Sequence, residues 1–377
     1  MTRSLGLRIM MTTDAVGGVW TYATALSAAL ADRGADVTLV TMGPAPRPDQ
    51  RSMVHDKVDV IETDLALEWQ DPEAEDIGRA RRKLRELETQ LRPHVIHLNS
   101  YREATFGWIA PVIVAAHSCV NSWGRACNDS EWLREPRWRR YSELVAAGLD
   151  AATAWVCPSA AHRAAVDEIY HPSRAGAVIW NGIAAALQPE PKHNVILAAG
   201  RMWDKAKGLS TLVETANNEA ADNQPGDEVR WPILVAGEAG QHEAGSIQFL
   251  GDLPQADLHR LMRRAAIFAS PALYEPFGLA VLEAASARCA LVLSDIPSFR
   301  ELWDHAALFV PPGDSDQLGA AFDPLIQDET LRLDLQSAAL TRAKTYSLTR
   351  MVDGYQQLYS ALRGAAACGP RSMGAVA

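Results

Sequence analysis

Short apolar runs alternate with stretches of helical periodicity along most of the chain, a pattern typical of parallel α/β sheets. The first series of predicted strands lies at 7–12, 36–41, 94–98, 111–116, 154–158 and 177–180. The second series lies at 194–199, 231–236, 246–250, 265–270, 290–294 and 306–310. Each series is long enough for a sheet of its own, so we predict an α/β protein with two doubly wound, Rossmann-like domains.

The break between the two series falls at 184–193, where two prolines and several polar residues follow a strand and a turn. We therefore predict an N-terminal domain over 1–185 and a C-terminal domain over 186–347. A helical stretch at 348–363 follows the complete second domain, and we expect it to pack back across the hinge. The tail 364–377 is rich in small residues and is expected to be flexible.

Composition and charge narrow the function classes. The 377 residues are 48% hydrophobic and 22% charged, which is ordinary for a globular protein, and the net charge of -10 argues against nucleic acid as the main partner. The five cysteines are widely spaced and favour a reducing cytosol over a disulfide framework or a zinc site. No apolar run reaches the roughly 18 residues of a membrane span, so we expect a cytoplasmic protein.

The segment EPFGLAVLE places two carboxylates, Glu275 and Glu283, eight positions apart around a Pro-Phe-Gly turn. A helix starting near Gly278 would offer its unpaired N–H groups to a diphosphate. The two acids would then contact different hydroxyl-bearing parts of one ligand, such as a sugar and a ribose. A purely structural interpretation stays open, because glutamate is common in first helical turns.

Two further loops follow predicted strands. In ILAAGRMWDKAKG, Arg201 and Lys207 come after the strand that ends at Gly200, and two fixed cations at a strand end suit a pyrophosphate. In DAVGGVWTY, Gly17 and Gly18 allow the backbone to approach a phosphate and open the next helix, although a tight turn needs the same residues.

With these residues in place, the chain resembles the family-4 retaining glycosyltransferases (glycosyltransferase group 1), which have the GT-B fold of two Rossmann-like domains facing a central cleft. The matching motifs run in order along nearly the whole chain: GG at 17–18, His117 after a strand, PS at 158–159, NGI at 181–183, GR at 200–201, KG at 207–208, GDLPQADL at 251–258 and EPFGLAVLE at 275–283. The resemblance implies a hexosyltransferase that moves a sugar from a nucleoside-diphosphate sugar to a hydroxyl of a glycan, a glycolipid or a small molecule, as in polysaccharide biosynthesis.

The resemblance also implies roles for individual residues, with the donor in the C-terminal domain and the acceptor on the side of the N-terminal domain. Arg201 and Lys207 would bind the diphosphate, Glu275 the donor sugar and Glu283 the ribose, while the segment near Leu253 would frame the base. The implied catalytic residues are Glu275, His117, Arg201 and Lys207. The implied donor-binding residues are Gly17, Gly18, Arg201, Lys207, Leu253, Glu275, Phe277, Gly278, Leu279 and Glu283.

The chain departs from the family pattern at three places, of which the least important is Ala184, at the often acidic position after NGI. Lys207 lies six positions after Arg201, where the commoner spacing is five, so Lys205 competes with Lys207 for the diphosphate. We favour Lys207 because Gly208 follows it. Arg288 and Ala290 stand where the family usually has glycine and proline, so we expect a different turn there.

Metal is not expected in this site, and no cofactor beyond the substrate is implied. Arg201 and Lys207 can neutralise the leaving diphosphate directly, aided by the helix end. The D-x-D sequence at Asp314 and Asp316 precedes a predicted helix and is better explained as an N-cap. By resemblance, the acceptor attacks on the face from which the diphosphate departs, and a phosphate oxygen accepts its proton.

Two segments leave alternatives open on the acceptor side. Residues 120–141 contain three tryptophans and four arginines, which either bind sugars and phosphates or form a packed helical hairpin with a basic face; we favour the hairpin. The basic stretch 79–92 is either a helix that contacts the membrane surface or, more simply, an exposed amphipathic helix. Peripheral contact with the inner face of the membrane therefore remains an alternative.

Two other functions compete with transfer. A GT-B-fold nucleotide-sugar epimerase would need acid and base residues that the sequence does not identify. A nucleotide-sugar-binding protein with impaired catalysis is kept open by Arg288 and Ala290, whereas the presence of both cations and both glutamates argues against it.

Overall fold

The computed structural model describes residues 6–184, 190–222, 231–240 and 247–367, and within them the chain forms two α/β domains. Every strand pairing in the two sheets is parallel. Buried apolar clusters lie on both faces of each sheet, as in a doubly wound fold. The predicted fold class is therefore confirmed.

The N-terminal domain contains a seven-stranded sheet. Its strands are β1 (Arg8–Asp14), β2 (Asp36–Met42), β3 (Val58–Ile61), β4 (Val95–Leu98), β5 (Val112–Ala115), β6 (Ala154–Cys157) and β7 (Ala177–Val178). Their order across the sheet is β3-β2-β1-β4-β5-β6-β7. The helices are α1 (Gly18–Asp32), α2 (Pro48–Arg51), α3 (Ile77–Leu91), α4 (Val120–Ala126), α5 (Pro136–Ala151) and α6 (Ala160–Tyr170), with 3₁₀ turns at Arg102–Phe106 and Glu131–Arg134.

The sequence pattern missed β3, which forms the edge of this sheet. Its four residues VDVI include two exposed positions, and only Val58 is fully buried. A short edge strand pairs on one side only and needs no continuous apolar run, so it gave no signal of the kind used for the other six strands.

The C-terminal domain contains a six-stranded sheet. Its strands are β8 (His193–Ala199), β9 (Ile233–Ala236), β10 (Ile247–Gly251), β11 (Ala265–Ser270), β12 (Ala290–Ser294) and β13 (Leu308–Val310), in the order β10-β9-β8-β11-β12-β13. Its helices are α7 (Leu209–Asp222), α8 (Gln255–Arg264), α9 (Leu279–Ser286), α10 (Pro297–Trp303), α11 (Ser315–Gln327) and α12 (Glu329–Ala343). All six predicted strands are present, with ends shifted by up to two residues; the first residue of the strand predicted at 246–250 lies outside the described residues.

The last helix, α13 (Leu348–Ala367), returns to the N-terminal domain. Four of its side chains, among them Tyr355 and Tyr359, are buried in one apolar cluster with residues of α1 and the first sheet. The Tyr359 hydroxyl lies 2.6 Å from Nδ1 of His97, and the Tyr22 hydroxyl lies 3.3 Å from Nε2 of the same ring. The helix runs four residues beyond its predicted end at 363 because the following GAAA segment contains strong helix formers; residues 368–377 lie outside the described part of the chain.

The polypeptide therefore passes between the domains twice. Residues 185–189 of the first passage, at the predicted break 184–193, lie outside the described residues. Just before them, Ile183 forms a parallel bridge with Ser347 of the second passage, and Leu348 N donates to the Ile183 carbonyl at 2.8 Å. A Cβ atom on Gly182 would lie 2.4 Å from the Ser347 carbonyl oxygen, so only glycine allows the two passages to touch here.

The basic segment 79–92 forms most of α3, which is an amphipathic helix. One face of α3 buries Ala80, Leu84 and Leu87, whereas Arg79 and Lys83 form exposed ion pairs, Arg79 with Asp64 and Lys83 with Glu86. Within the ranges that the structure describes, no helix combines the length and the apolar character needed to cross a bilayer.

Arg288 occupies the turn between α9 and β12 with a φ of 61°, the left-handed region that glycine adopts most easily. Its N–H donates to the Ala285 carbonyl, and Cys289 N donates to the Ala284 carbonyl, which closes the end of the helix. The Arg288 side chain is exposed. Arg288 therefore adopts the left-handed conformation of this turn, and Ala290 begins β12.

We predict that Arg288→Gly stabilises the protein. Glycine removes a left-handed strain of roughly 1–2 kcal/mol but adds freedom to the unfolded chain, so the free energy of unfolding should rise by about 0.5–1 kcal/mol. Guanidinium unfolding measures the change. Arg288→Ala is the matched control, because it removes the side-chain charge and keeps Cβ; an equal gain in both variants would show that the charge and not the backbone is responsible.

Candidate active site in the interdomain cleft

Loops from both domains meet in the cleft at the carboxyl ends of their strands. The loop after β1 approaches the loop after β8, since a Cβ atom on Gly17 would lie 3.5 Å from Cδ of Arg201. The same loop approaches the start of α9, since a Cβ atom on Gly18 would lie 3.6 Å from Cδ1 of Leu279. Ligands of open parallel sheets bind at this edge of the sheet, so we expect the ligand site to lie in the cleft.

Glu275 lies in the loop between β11 and α9 and is held at both carboxylate oxygens. Oε1 accepts a hydrogen bond from the N–H of Gly278 at 3.0 Å, and Oε2 accepts one from Nζ of Lys207 at 2.6 Å. Gly278 is the N-cap of α9 and has a φ of 86°. The hydroxyl of Ser298 donates to the Glu275 carbonyl, so the backbone is fixed as well. The carboxylate is therefore fixed at the amino end of a helix, as the sequence predicted.

Lys207 reaches Glu275 because its loop packs directly on the glutamate loop. Lys207 ends the 3₁₀ turn Lys205–Lys207, and Gly208 follows with a φ of 68°. A Cβ atom on Gly208 would lie 1.9 Å from the carbonyl oxygen of Pro271, so no other residue fits at this contact. Leu273 N also donates to the Ala206 carbonyl at 2.8 Å.

The structure separates the two lysines that competed in the sequence. Nζ of Lys205 lies 3.2 Å from the Asp129 carboxylate in the other domain, and its side chain is half exposed. Lys207 is mostly buried and contacts Glu275 instead. The carbon stem of Lys207 also passes 3.6 Å from where a Cβ on Gly200 would lie, directly beside Arg201. The geometry thus groups Lys207, and not Lys205, with Arg201 and Glu275.

Arg201 is the partly exposed cation of this group. Its Nη2 lies 3.4 Å from Oδ2 of Asp204, and its guanidinium lies 5.6 Å from the ring centroid of Trp203. Asp14, at the end of β1, lies across the cleft. Burial raises the pKa of the Asp14 carboxyl, while a hydrogen bond from Val16 N and the charge of Arg201 partly oppose that rise.

Glu283 lies four residues into α9, and its carboxylate contacts α8 rather than Glu275. Its Oε1 lies 3.2 Å from Nε2 of His259 and 3.5 Å from Nε2 of Gln255. Only 7% of Glu283 is exposed. Leu253 lies in the turn just before α8 and packs partly buried against the same core cluster as Phe277. This part of the site is separate from the ion pair of Lys207 with Glu275.

His117 lies two residues beyond β5, on the N-terminal side of the cleft. Its Nε2 is 2.8 Å from Oδ1 of Asn99, an oxygen that can only accept, so Nε2 carries the proton and Nδ1 is left as an acceptor. Burial, with a smaller effect of His162, lowers the pKa of His117 to about 3. The imidazole is therefore neutral, and it has no hydrogen bond to the Glu275 group.

A buried ionic network holds the loop that carries Asn99. The carboxylate of Glu68 accepts hydrogen bonds from Tyr101 N and Arg102 N, at 3.1 and 3.0 Å. The Arg102 guanidinium is buried and pairs with Glu103. Burial and the neighbouring Glu103 raise the pKa of Glu68 to about 8.

Several contacts tie the two domains around these loops. The Ser122 hydroxyl lies 2.7 Å from the Tyr274 hydroxyl, and the Ser159 hydroxyl donates to the Pro276 carbonyl at 2.6 Å. The carboxylate of Glu301 accepts hydrogen bonds from the first two N–H groups of α6, Ala160 and Ala161. The N-terminal domain thus contacts the residues on both sides of Glu275.

Sequence reasoning did not assign roles to several polar residues around the cleft. Asp14 and Asn99 each follow a predicted buried strand, and that position is the signal that would have found them. Asp204 and Ser122 offered no signal, because their roles depend on residues far along the chain. Ser159 lies in the PS motif at 158–159, but its hydrogen bond to the Pro276 carbonyl was not predicted.

Residues 120–141 form the packed arrangement that the sequence analysis favoured. The rings of Trp132 and Trp138 lie 4.7 Å apart between centroids, and the Trp123 ring lies 6.1 Å from that of Trp132. The Asp314 carboxylate accepts from Gln317 N, which confirms the N-cap at the start of α11. Within the described residues, no cluster of His, Cys, Asp or Glu has the geometry to hold a metal ion.

Comparisons with known proteins match both halves of the chain. Residues 193–328 match the family described as Glycosyl transferases group 1, and residues 16–187 match Glycosyltransferase Family 4. The O-antigen chain mannosyltransferase B of Escherichia coli is 34% identical over 136 residues, which is 35% of each chain. The matched stretches span about a third to about a half of the length of the first curated relatives.

Several solved structures match almost the whole chain. Sucrose-phosphate synthase from Thermosynechococcus elongatus has a TM-score of 0.76 at 18% identity, covering 95% of this chain and 100% of that one. HepE from Anabaena in complex with UDP-glucose has a TM-score of 0.71 at 16% identity, covering 94% and 100%. At these identities the two matches show the fold alone.

We predict that Lys207→Ala weakens the binding of inorganic pyrophosphate by about 10- to 100-fold, because it removes a charge-assisted hydrogen bond and leaves Glu275 unpaired. Lys205→Ala is the matched control and should change the affinity by less than about twofold, since its exposed ion pair lies apart from this group. Calorimetric titration of the three proteins measures the constants. The reverse order of effects would move the diphosphate site to Lys205.

We also predict that His117 does not titrate between pH 5 and 8. Because its folded pKa of about 3 lies below the ordinary value of 6.5, its contribution to stability is complete above pH 6.5 and is lost as the pH falls toward 3. NMR of the histidine Cε1–H groups tests this, with the His117→Gln variant giving the assignment. The signal that is absent from the His117→Gln spectrum belongs to His117, and a titration midpoint near 6.5 for that signal would contradict the buried, neutral imidazole.

Proposed function

This chain belongs to the family-4, group 1 glycosyltransferases and has their GT-B fold, and from that premise we propose that it is a retaining, metal-independent hexosyltransferase. Its donor is a nucleoside-diphosphate sugar, and its acceptor is a hydroxyl of a glycan, a glycolipid or a small molecule. The observation that carries the proposal is the contact of Lys207 with Glu275 at the amino end of α9, beside Arg201. The epimerase and binding-protein alternatives gain no support from the comparisons.

The leaving diphosphate determines what the cations do. The bond between the anomeric carbon and the diphosphate oxygen breaks, and the oxygen keeps the electron pair. Arg201, Lys207 and the N–H groups at the start of α9 neutralise the charge that develops there. Each cation also pairs with a carboxylate, Arg201 with Asp204 and Lys207 with Glu275. These pairs hold the cations in place before the diphosphate arrives.

Glu275 acts in this proposal as a ligand of the donor sugar. Both of its oxygens already accept hydrogen bonds, from Lys207 and from Gly278 N, and this makes the carboxylate a poor nucleophile. We therefore favour attack by the acceptor hydroxyl on the face from which the diphosphate leaves, with a diphosphate oxygen taking the proton. The new glycosidic bond then keeps the anomeric configuration of the donor.

The N-terminal side of the cleft receives the acceptor. His117 is neutral, and its Nδ1 can accept a hydrogen bond, so it binds a hydroxyl of the acceptor substrate and does not act as an acid. The Asp14 carboxylate offers a second hydrogen-bond acceptor at the same edge of the sheet. A neutral, hydroxyl-bearing acceptor fits these two groups.

The names of two similar proteins support a hexose as the transferred sugar and polysaccharide biosynthesis as the process. The Escherichia coli relative is by name a mannosyltransferase of the O-antigen chain, and the Anabaena neighbour is in complex with UDP-glucose. Both sugars are hexoses, so we propose hexosyl transfer in polysaccharide biosynthesis. We place the protein in the cytoplasm, with peripheral contact at the inner face of the membrane when the acceptor is a lipid.

A thermal-shift screen with EDTA present tests this function. The ligands are UDP, GDP, ADP and dTDP together with their common sugar conjugates. We expect one nucleotide family to raise the melting temperature, since a ligand at one hundred times its dissociation constant stabilises the native state by about 2.7 kcal/mol. Lys207→Ala is the control, and a 10- to 100-fold loss of affinity should reduce this stabilisation to about 1.4 kcal/mol or less.

Three outcomes would contradict parts of the proposal. Absence of binding by every nucleotide in calorimetry would overturn the transferase assignment. Binding and turnover that appear only after addition of Mg²⁺ or Mn²⁺ would overturn metal independence. Proton NMR of the product with the opposite anomeric configuration would overturn retention.

A further inference from the structure

One carboxylate joins the N-terminal domain to Arg201 and to the 3₁₀ turn that carries Lys207. The indole Nε1 of Trp123, on α4, donates to Oδ1 of Asp204 at 2.8 Å. The same oxygen accepts from Ala206 N at 3.0 Å, inside the 3₁₀ turn that ends at Lys207. The other oxygen lies 3.4 Å from Nη2 of Arg201. Asp204 is only 8% exposed, so these contacts take place largely away from water.

We propose that Trp123 and Asp204 are positioning residues through which docking of the N-terminal domain prepares Arg201 and Lys207 for the donor diphosphate. This inference rests on the proposed glycosyl transfer. Asp204 competes with the diphosphate for Arg201, because both are anions. The indole N–H satisfies part of the Asp204 charge and so weakens the hold of Asp204 on Arg201.

The neighbours of Trp123 contact the same two loops. Ser122 reaches Tyr274, the residue before Glu275, and Asp129 pairs with Lys205, the first residue of the 3₁₀ turn. The segment from α4 to Asp129 therefore touches both loops that bring Lys207 and Glu275 together. A displacement of this segment would therefore move both Lys207 and Glu275.

Two substitutions separate the parts of this mechanism. Trp123→Phe keeps an aromatic ring at the interface and removes only the N–H donor. Asp204→Asn keeps Oδ1 as an acceptor for Trp123 and Ala206 and removes the negative charge beside Arg201. A matched control is Trp108→Phe, because Trp108 Nε1 donates at 2.8 Å to the Glu103 carbonyl within one domain, away from the cleft.

For Trp123→Phe we expect kcat to fall by about 10-fold or more, the usual effect of losing a hydrogen bond to a charged group, and KM for the sugar nucleotide to rise several-fold, because Asp204 then competes more strongly for Arg201. For Asp204→Asn we expect the nucleoside diphosphate to bind several-fold tighter while kcat falls. The readouts are calorimetry with whichever of UDP, GDP, ADP and dTDP binds the unchanged protein, and turnover of the matching sugar nucleotide. Trp108→Phe should keep both constants.

A merely structural role predicts a different result. In that case Trp123→Phe would lower the melting temperature as Trp108→Phe does and leave kcat unchanged, and this outcome would overturn the inference while the proposed function stands. Weaker diphosphate binding by Asp204→Asn would equally overturn it. If none of the four nucleotides binds the unchanged protein, the proposed function itself fails, and the inference fails with it.

Discussion

The contact between Gly208 and the carbonyl of Pro271 determines where the charges of the cleft lie. Because a side chain at position 208 would overlap that oxygen, the two loops can approach only through a left-handed glycine. The approach places Nζ of Lys207 at hydrogen-bonding distance from Glu275 and leaves Lys205 on the opposite side, facing the other domain. The steric constraint is local, yet it selects which of two lysines belongs to the site.

Much of the fold was predictable because buried parallel strands are continuous apolar runs, and such runs are visible in one sequence. The edge strand β3 was missed because half of its side chains are exposed. The grouping of Arg201, Lys207 and Glu275 was also expected, since each follows a strand whose carboxyl end faces the cleft. Gly208 was the clue that favoured Lys207 over Lys205, and its left-handed conformation gives that clue a physical basis.

The rest of the site depends on contacts between residues that are distant along the chain. Trp123 and Asp204 are separated by 81 positions, and Glu301 caps a helix that begins 141 positions earlier. No periodicity or spacing reports such pairs, because they form only when two finished domains meet. The protonation of His117 was likewise beyond sequence reasoning, since burial and the hydrogen bond to Asn99 decide it.

The helix α13 gives the N-terminal domain a discontinuous core. Tyr355 and Tyr359 fill space around His97 that no residue of the first half of the chain occupies, and the bridge of Ile183 with Ser347 joins the two passages at the crossing point. Recombination between related genes at the single linker near residue 185 would therefore pair a first sheet from one parent with a final helix from the other. Viable chimaeras would exchange two separate segments together, so the two domains can be shuffled only as an insertion of the second into the first.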